Sequence, residues 1–136
     1  MMLSLMAAAL IANTPSVPAN IEVASNASWA AYPRLRTEEI TVPSGDMVRR
    51  VQLMLQREEC EFEGQSARRF NIDVNYAVML DPQGNASRII VQDVGCRPLE
   101  LYVGRIAADI MRSGYVRVTP PASPSWYGNR INFNLQ

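Results

Sequence analysis

Residues 70–91, FNIDVNYAVMLDPQGNASRIIV, constrain the fold more than any other stretch. Apolar side chains at alternate positions from Phe70 to Leu80 predict a strand with one buried face, because successive side chains of a strand point to opposite sides. Asp81-Pro82-Gln83-Gly84 follows as a strong turn signal: Asp accepts a hydrogen bond from the turn backbone, Pro fixes φ, and Gly allows positive φ. Alternation resumes over residues 87–91. We therefore predict a hairpin with one apolar face and one polar, water-facing face.

Two further segments have helical periodicity. Ser44 suits an N-cap, and the apolar positions that follow it at helical spacing are Met47, Val48, Val51, Met54 and Leu55. Pro98 suits the first turn of a second helix, and Gly114 suits its termination. The second helix has an apolar stripe at Leu99, Tyr102, Val103, Ile106 and Ile110, and the residues expected to face solvent are Glu100, Arg105, Asp109 and Arg112.

The last strand is predicted from the alternation of residues 130–135, RINFNL. The resulting order is helix, strand, strand, helix, strand. Three strands with one apolar face and two helices with one apolar stripe each are buried most simply in two layers. We predict an α+β, two-layer sandwich, in which a three-stranded antiparallel sheet carries both helices on one face.

The amino terminus resembles a secretory signal. Residues 3–12 form an apolar run too short to span a bilayer, and Val17-Pro18-Ala19 suits a cleavage site. No Lys or Arg precedes the apolar run, so an apolar tail or a misplaced start codon is the alternative. We interpret residues 1–19 as a signal peptide, residues 20–43 as an extended lead-in, and residues 44–136 as one domain. The predicted location is the periplasm.

Two cysteines agree with export. Cys60 and Cys96 form an even pair in a small chain, which is typical of one disulfide in an oxidising compartment. Closing that loop would stabilise the fold by about 4 kcal/mol in the chain-entropy model. Two separate buried thiols are the alternative.

Composition argues against several classes of function. The formal net charge is zero, so no long-range field attracts nucleic acid. All thirteen basic residues are arginine, and the chain has no lysine and no histidine. A histidine base, a histidine metal site and a lysine Schiff base are therefore excluded, and a serine or cysteine nucleophile has no evident activating base. We predict a protein without catalytic residues, metal or cofactor.

Four motifs, taken in order, resemble the C-terminal domain of TonB-family energy transducers. They are the strand and turn of residues 74–85, the strand and helix start of residues 91–100, the helix end and prolines of residues 106–121, and the closing strand 131–135. The similarity covers roughly residues 44–136. It implies a periplasmic interaction domain that binds an extended peptide of an outer-membrane receptor by strand addition, within an import system energised by an inner-membrane proton-motive-force complex.

By this resemblance, the docking edge is the last strand. Its residues are Arg130, Ile131, Asn132, Phe133, Asn134 and Leu135, and Asn132 and Asn134 would flank the peptide on the polar face. Main-chain hydrogen bonds at an exposed edge would supply the affinity. The alternative is a final core strand whose edge is covered by residues 20–43 or by a second copy. The chain would then be a structural or regulatory envelope protein, as a homodimer.

Trp126 and Tyr127 are assigned to the Pro-rich loop before that strand. Aromatic rings are enriched at the centres of interfaces, which makes this pair a candidate partner contact. The alternative is a hydrophobic lid over the helix layer.

Overall fold

The computed structural model describes residues 20–38 and 40–136. The elements in chain order are strand β1 (Asn20–Ala24), the one-turn 3-10 helix η1 (Trp29–Ala31), helix α1 (Gly45–Gln56), strands β2 (Phe70–Leu80) and β3 (Ala86–Gln92), helix α2 (Arg97–Arg112) and strand β4 (Ser125–Leu135). The predicted signal peptide, residues 1–19, lies outside the described residues. Both predicted helices and all three predicted strands are present in the predicted order.

The sheet has four strands in the order β1-β3-β2-β4. β2 pairs antiparallel with β3 in the predicted hairpin and antiparallel with β4 on its other side, whereas β1 pairs parallel with β3. The prediction of a three-stranded antiparallel sheet is therefore wrong, and the fold is α+β with a mixed sheet. Residues 20–24 were assigned to an extended lead-in because five residues carry too little alternation to identify a strand. Ile21 and Val23 pair with the core residues Ile89 and Val91, and Ile21 packs against the core, which gives this strand a partly buried side.

The hairpin of β2 and β3 forms as predicted. The Gly84 N–H donates to the Asp81 carbonyl at 2.9 Å, and Gly84 has a φ of 83°. One Asp81 carboxylate oxygen accepts from the backbone N–H groups of Gln83 and Asn85, each at 2.9 Å. These bonds satisfy the turn backbone and fix the register of the two strands.

Both helices pack on one face of the sheet, around a single core. Ser44 caps α1 by accepting from the Met47 N–H at 3.3 Å, and α1 buries Val51 and Met54. α2 begins with Pro98 in its first turn and ends just before Gly114, whose φ is 80°. The strand residues that meet the helices include Phe70, Val74, Tyr76, Val78, Ile89, Val91, Ile131 and Phe133.

Glu100 is buried, and the prediction that it faces solvent is wrong. The residue is 3% exposed, and its carboxylate accepts from the N–H groups of Val94 at 2.9 Å and Cys96 at 3.2 Å. Cys96 occupies the N-cap of α2 but makes no side-chain cap bond. The Glu100 carboxylate thus reaches back to the N-cap N–H and to one N–H before it, as the acidic member of a capping box does, and this need for an acceptor keeps the side chain buried.

Cys60 and Cys96 are joined by the predicted disulfide, with their Cα atoms 5.4 Å apart. It connects the chain just beyond α1 to the first residue before α2. A structural disulfide of this kind belongs to an oxidising, extracytoplasmic compartment. Across residues 20–38 and 40–136, no helix is long and apolar enough to cross a membrane.

Candidate functional site

The outer edge of β4 is the site indicated by the sequence. All six residues from Arg130 to Leu135 lie in β4, at one end of the sheet, and β2 pairs along its inner side from Phe70↔Leu135 to Leu80↔Ser125. In an antiparallel strand, successive residues direct their N–H and C=O groups to opposite sides, so alternate residues share a side. Gly128 directs both groups outward, because both bond to the chain outside the sheet. Arg130, Asn132 and Asn134 share that orientation.

Residues 33–35 close this edge at Gly128 only. The Gly128 N–H donates to the Pro33 carbonyl and the Leu35 N–H donates to the Gly128 carbonyl, both at 2.8 Å. The bridge is parallel, and Leu35 is fully buried. The segment that was predicted as an extended lead-in therefore contains a short piece of chain already added to β4 by main-chain hydrogen bonds.

The Asn129 side chain covers one more backbone group of this edge, the N–H of Arg130. Its side-chain amide donates to the Leu35 carbonyl at 3.1 Å, and its amide oxygen accepts from the Arg130 N–H at 2.8 Å. The side chain thus pairs the first outward N–H beyond Gly128 and prevents it from binding another strand.

Beyond that point the edge is open. Within the described residues, no hydrogen bond pairs the outward backbone groups of Asn132 and Asn134, or the carbonyl of Arg130. Residues 130–135 span about 20 Å at the rise of a β-strand. An edge of this length offers an additional strand several consecutive main-chain bonds.

Side chains on the two faces of β4 differ sharply. Ile131 and Phe133 belong to the core, at 1% and 0% exposed. On the other face, the Asn132 amide donates to Asn71 at 2.6 Å and to Asp73 at 2.7 Å. Arg130 lies 3.8 Å from the same Asp73 carboxylate. The polar row of β2 is therefore half of a cross-strand network with β4, which explains why one face of the hairpin is so polar.

Trp126 and Tyr127 lie within β4, so their assignment to the preceding loop is wrong. Strand pairing begins at Ser125, one residue after Pro124. Tyr127 packs against the core on the helix side, as the lid alternative requires. The Trp126 ring instead lies 6.1 Å from the Tyr32 ring and 5.2 Å from the Arg88 guanidinium, on the opposite face. The two rings therefore lie on opposite faces of the sheet and cannot contact one partner together.

The face opposite the helices is only partly open to water. The η1 segment contacts β2 and β4 on that face, and Ala77 and Ile90 are buried there. A Cβ atom added to Gly128 would lie 3.2 Å from the Tyr32 Cβ, which shows how closely this segment approaches the strand. An open cleft of about 470 Å³ remains between η1 and the polar half of the sheet. The prediction that this whole face is exposed to water is therefore confirmed for its polar half and wrong for the half that η1 covers.

Tyr76 lies at the centre of the sheet, on the helix side. It pairs with Val91 of β3 and with Asn129 of β4, and it is 2% exposed. Burial raises the pKa of Tyr76 from 10.0 to about 12. This phenol stays neutral at physiological pH and acts as part of the core.

Sequence reasoning missed the residues that limit the site, namely Gly128, Asn129 and the segment 33–35. A glycine inside a strand often marks a close approach of another backbone, so Gly128 carried a usable signal. Asn129 carried none, because its function depends on a segment some ninety residues earlier in the chain. Among the described residues, no group of three or more His, Cys, Asp or Glu side chains is arranged to hold a metal ion.

Comparisons with protein-family models, with curated proteins and with solved structures found no match for this chain. The resemblance to the TonB family therefore stays a prediction from the sequence motifs.

Proposed function

We propose that this protein is a periplasmic interaction module that binds an extended peptide by strand addition at the outer edge of β4. The observation that carries the proposal is the row of outward backbone groups at Asn132 and Asn134, which are unpaired among the described residues. Peptide recognition by strand addition requires such groups on a rigid scaffold. The core residues Ile131 and Phe133 supply the rigidity, since they hold this strand against the helices.

The added segment 33–35 supports the geometry. Its two 2.8 Å bonds to Gly128 support the proposal, because they are main-chain bonds of the kind that a docked peptide would make farther along the same side of β4. A peptide of about six residues would occupy the remaining 20 Å, from Arg130 to Leu135. Its side chains would alternate between the helix layer and the polar row of Arg130, Asn132 and Asn134, so the polar row favours hydrogen-bonding or acidic side chains at alternate positions.

By the resemblance to TonB, the partner is a short peptide of an outer-membrane receptor. The disulfide supports an extracytoplasmic location, where such a receptor would present its peptide. In an energised import system, the same resemblance adds an inner-membrane proton-motive-force complex as the second partner. The proposed role is binding without catalysis.

The test is a titration of the ¹⁵N-labelled full chain with peptides from the periplasmic ends of outer-membrane receptors. We expect the amide signals of residues 130–135 to shift and the Asn132 amide to exchange more slowly with solvent. Unchanged signals across this strand would contradict the proposal. Protection of the same amides that grows with protein concentration, without peptide, would instead indicate a homodimer through paired β4 edges.

Two substitutions at Asn132 separate backbone pairing from side-chain contact. Asn132→Pro removes an outward N–H without removing a bond to β2, a position where an edge strand tolerates proline. Asn132→Ala keeps the N–H and removes only the polar side chain. We expect the proline variant to weaken peptide binding by about tenfold or more, and the alanine variant to weaken it less. Equal affinities in the proline variant and the unchanged protein would rule out strand addition here.

A further inference from the structure

The outer surface of the helix layer contains a groove between α1 and α2, remote from the β4 edge. It has a volume of about 390 Å³, and four of the residues that line it are arginines: Arg50, Arg57, Arg97 and Arg105. All four are exposed, and none forms an ion pair within the described part of the chain. In a protein with a formal net charge of zero, this is a local concentration of positive charge.

The arginines fall into two pairs because the helices run in opposite directions. The disulfide joins the end of α1 to the start of α2, which brings Arg57 and Arg97 to the same end of the groove. At the other end, the Arg50 guanidinium lies 6.0 Å from the centre of the Tyr102 ring, one turn before Arg105. Arg50 and Arg57 are seven residues apart, so the two pairs are separated by about 10 Å along the helices.

Apolar side chains lie between the two charged ends. Leu53 and Leu101 line the middle of the groove and are partly exposed, and Met54 extends it to the core. Glu59 is the one acidic side chain in the lining. Arg97 also lies in the first turn of α2, where the helix dipole disfavours a cation. An anionic ligand beside Arg97 would therefore suit this end of the groove.

We infer that this groove binds an acidic amphipathic helix of a protein partner. Carboxylates at positions i and i+7 of a helix are also about 10 Å apart, which matches the spacing of the two arginine pairs. Apolar residues at i+3 and i+4 of the same helix would then contact Leu53 and Leu101. Each carboxylate would lie between two guanidiniums from different helices, which can donate charge-assisted hydrogen bonds.

Shape and spacing favour a helix over other anions. A single phosphate can reach one arginine pair and leaves the apolar middle exposed. A planar anionic membrane would contact the arginines at the rim, while Leu53 and Leu101 lie in the depression between the helices. A helix fills the depression and reaches both charged ends together.

The probe is a synthetic helical peptide of about twenty residues, roughly 30 Å long, with glutamates at i and i+7 and leucines at i+3 and i+4. A scrambled peptide of the same composition serves as its control. We expect the patterned peptide to shift the amide signals of Leu53 and Leu101, to lose affinity with added salt, and to bind at least about tenfold more tightly than the scrambled peptide. Equal affinities of the two peptides would overturn the inference.

Charge reversal assigns the binding to the groove. R50E/R105E should weaken binding of the patterned peptide by about tenfold or more, and a peptide in which arginine replaces only the glutamate facing this pair should recover affinity for the variant. R68E/R69E is the matched control, because Arg68 and Arg69 are exposed but do not line the groove. The inference is overturned if the two variants bind alike, if inorganic pyrophosphate produces the same shifts, or if phosphatidylglycerol vesicles bind the protein while the peptide does not.

Discussion

The outer sides of β3 and β4, the two strands that flank β2, are covered in different ways. On the β3 side, β1 runs parallel along the edge over all of its residues, from Asn20↔Arg88 to Ala24↔Gln92. On the β4 side, residues 33–35 bond to Gly128 alone. Both closures are made by the same part of the chain, which crosses from one edge to the other over the face opposite the helices.

This difference shows that the open part of β4 is a specific feature of the fold. Exposed sheet edges promote unwanted pairing, and proteins usually cover or disrupt them. Here β1 covers residues 88–92 of β3, and the outer side of β4 is covered where Leu35 and Asn129 reach it. Among the described residues, no segment pairs with the outer side of residues 131–135, where Arg130 and Asn134 are exposed and Asn132 is half-buried. The outer strands of the sheet are β1, with five residues, and β4, with eleven, so β4 offers an added strand the longer run of main-chain groups.

The largest effect is expected from a substitution that detaches β1 from helix α2 and from β3. Any side chain at Gly104 of α2 would overlap the Ile21 side chain, which holds β1 against the helix. Gly104→Val should therefore lower the free energy of unfolding by about 3 kcal/mol and expose the β3 edge. Urea denaturation measures the fall in the free energy of unfolding. Faster exchange of the β1 amides, and of the β3 amides that pair with them, would show that β1 has detached.

The matched control combines this substitution with Ile21→Ala, which removes the atoms that the new side chain meets. The double variant should lose less stability than the sum of the two single variants, because the sites are in direct contact. Additive losses would show that Gly104 does not control the docking of β1.

The next effect is a loss of stability at alkaline pH through Tyr76, which lies in β2 between β3 and β4. Burial raises the pKa of Tyr76 to about 12, against 10.0 in the unfolded chain. Between these values the unfolded state has lost the proton that the folded state retains, so stability falls as pH rises. We expect no contribution from Tyr76 below pH 10 and a loss of about 2 kcal/mol as the pH approaches 12.

Urea denaturation across this pH range measures that loss, and Tyr76→Phe should remove most of the slope. Tyr102 also has a raised pKa, chiefly through desolvation, with Arg50 lowering it and Asp46 raising it. Tyr102→Phe is therefore the background in which Tyr76 is tested. An unchanged slope after Tyr76→Phe would show that other groups cause the alkaline instability.

A smaller effect is expected at the partial closure of β4. A Cβ atom at Gly128 would lie 3.2 Å from the Tyr32 Cβ and 3.5 Å from the Tyr76 carbonyl. Gly128→Ala should push residues 32–35 away from the strand and cost about 1–2 kcal/mol. The open edge would then extend by the N–H and C=O groups of residue 128. A longer peptide should then bind more tightly in the same titration, which would show that residues 33–35 limit the open part of β4. Unchanged exchange of the Leu35 amide would show that they do not.

The local features of this fold could be predicted from the sequence, and the distant ones could not. The hairpin turn at residues 81–85 and the Ser44 cap depend on neighbours within a few positions, and both form as predicted. The pairing of β1 with β3 joins residues more than sixty positions apart, and nothing within residues 20–24 specifies that partner. Glu100 was misassigned for a related reason: helical periodicity places it outside, but the N–H groups before the helix need its carboxylate.

In the candidate site, too, the local features could be predicted and those that depend on distant residues could not. Alternation in residues 130–135 predicts the strand and its two faces, and the resemblance to TonB predicts its role. The limits of the open edge depend on Leu35 and Asn129, which meet only in the folded protein. Trp126 and Tyr127 were assigned to a loop because three prolines precede them. Strand pairing with β2 nevertheless begins at Ser125 and places the two rings on opposite faces.

The smallest expected effect is at Asn129, where the closure of β4 ends. Asn129→Ala removes the side-chain amide that accepts from the Arg130 N–H and donates to the Leu35 carbonyl. We expect a loss of about 1 kcal/mol, because the Arg130 N–H can bond to water instead while the carbonyl of buried Leu35 loses its donor. The Arg130 amide should exchange faster, and a peptide bound at residues 130–135 should gain one main-chain bond. Asn132→Ala is the control, since that side chain bonds to Asn71 and Asp73 and leaves the edge groups untouched. If both variants change Arg130 exchange equally, Asn129 does not mark the boundary between the closed and open parts of β4.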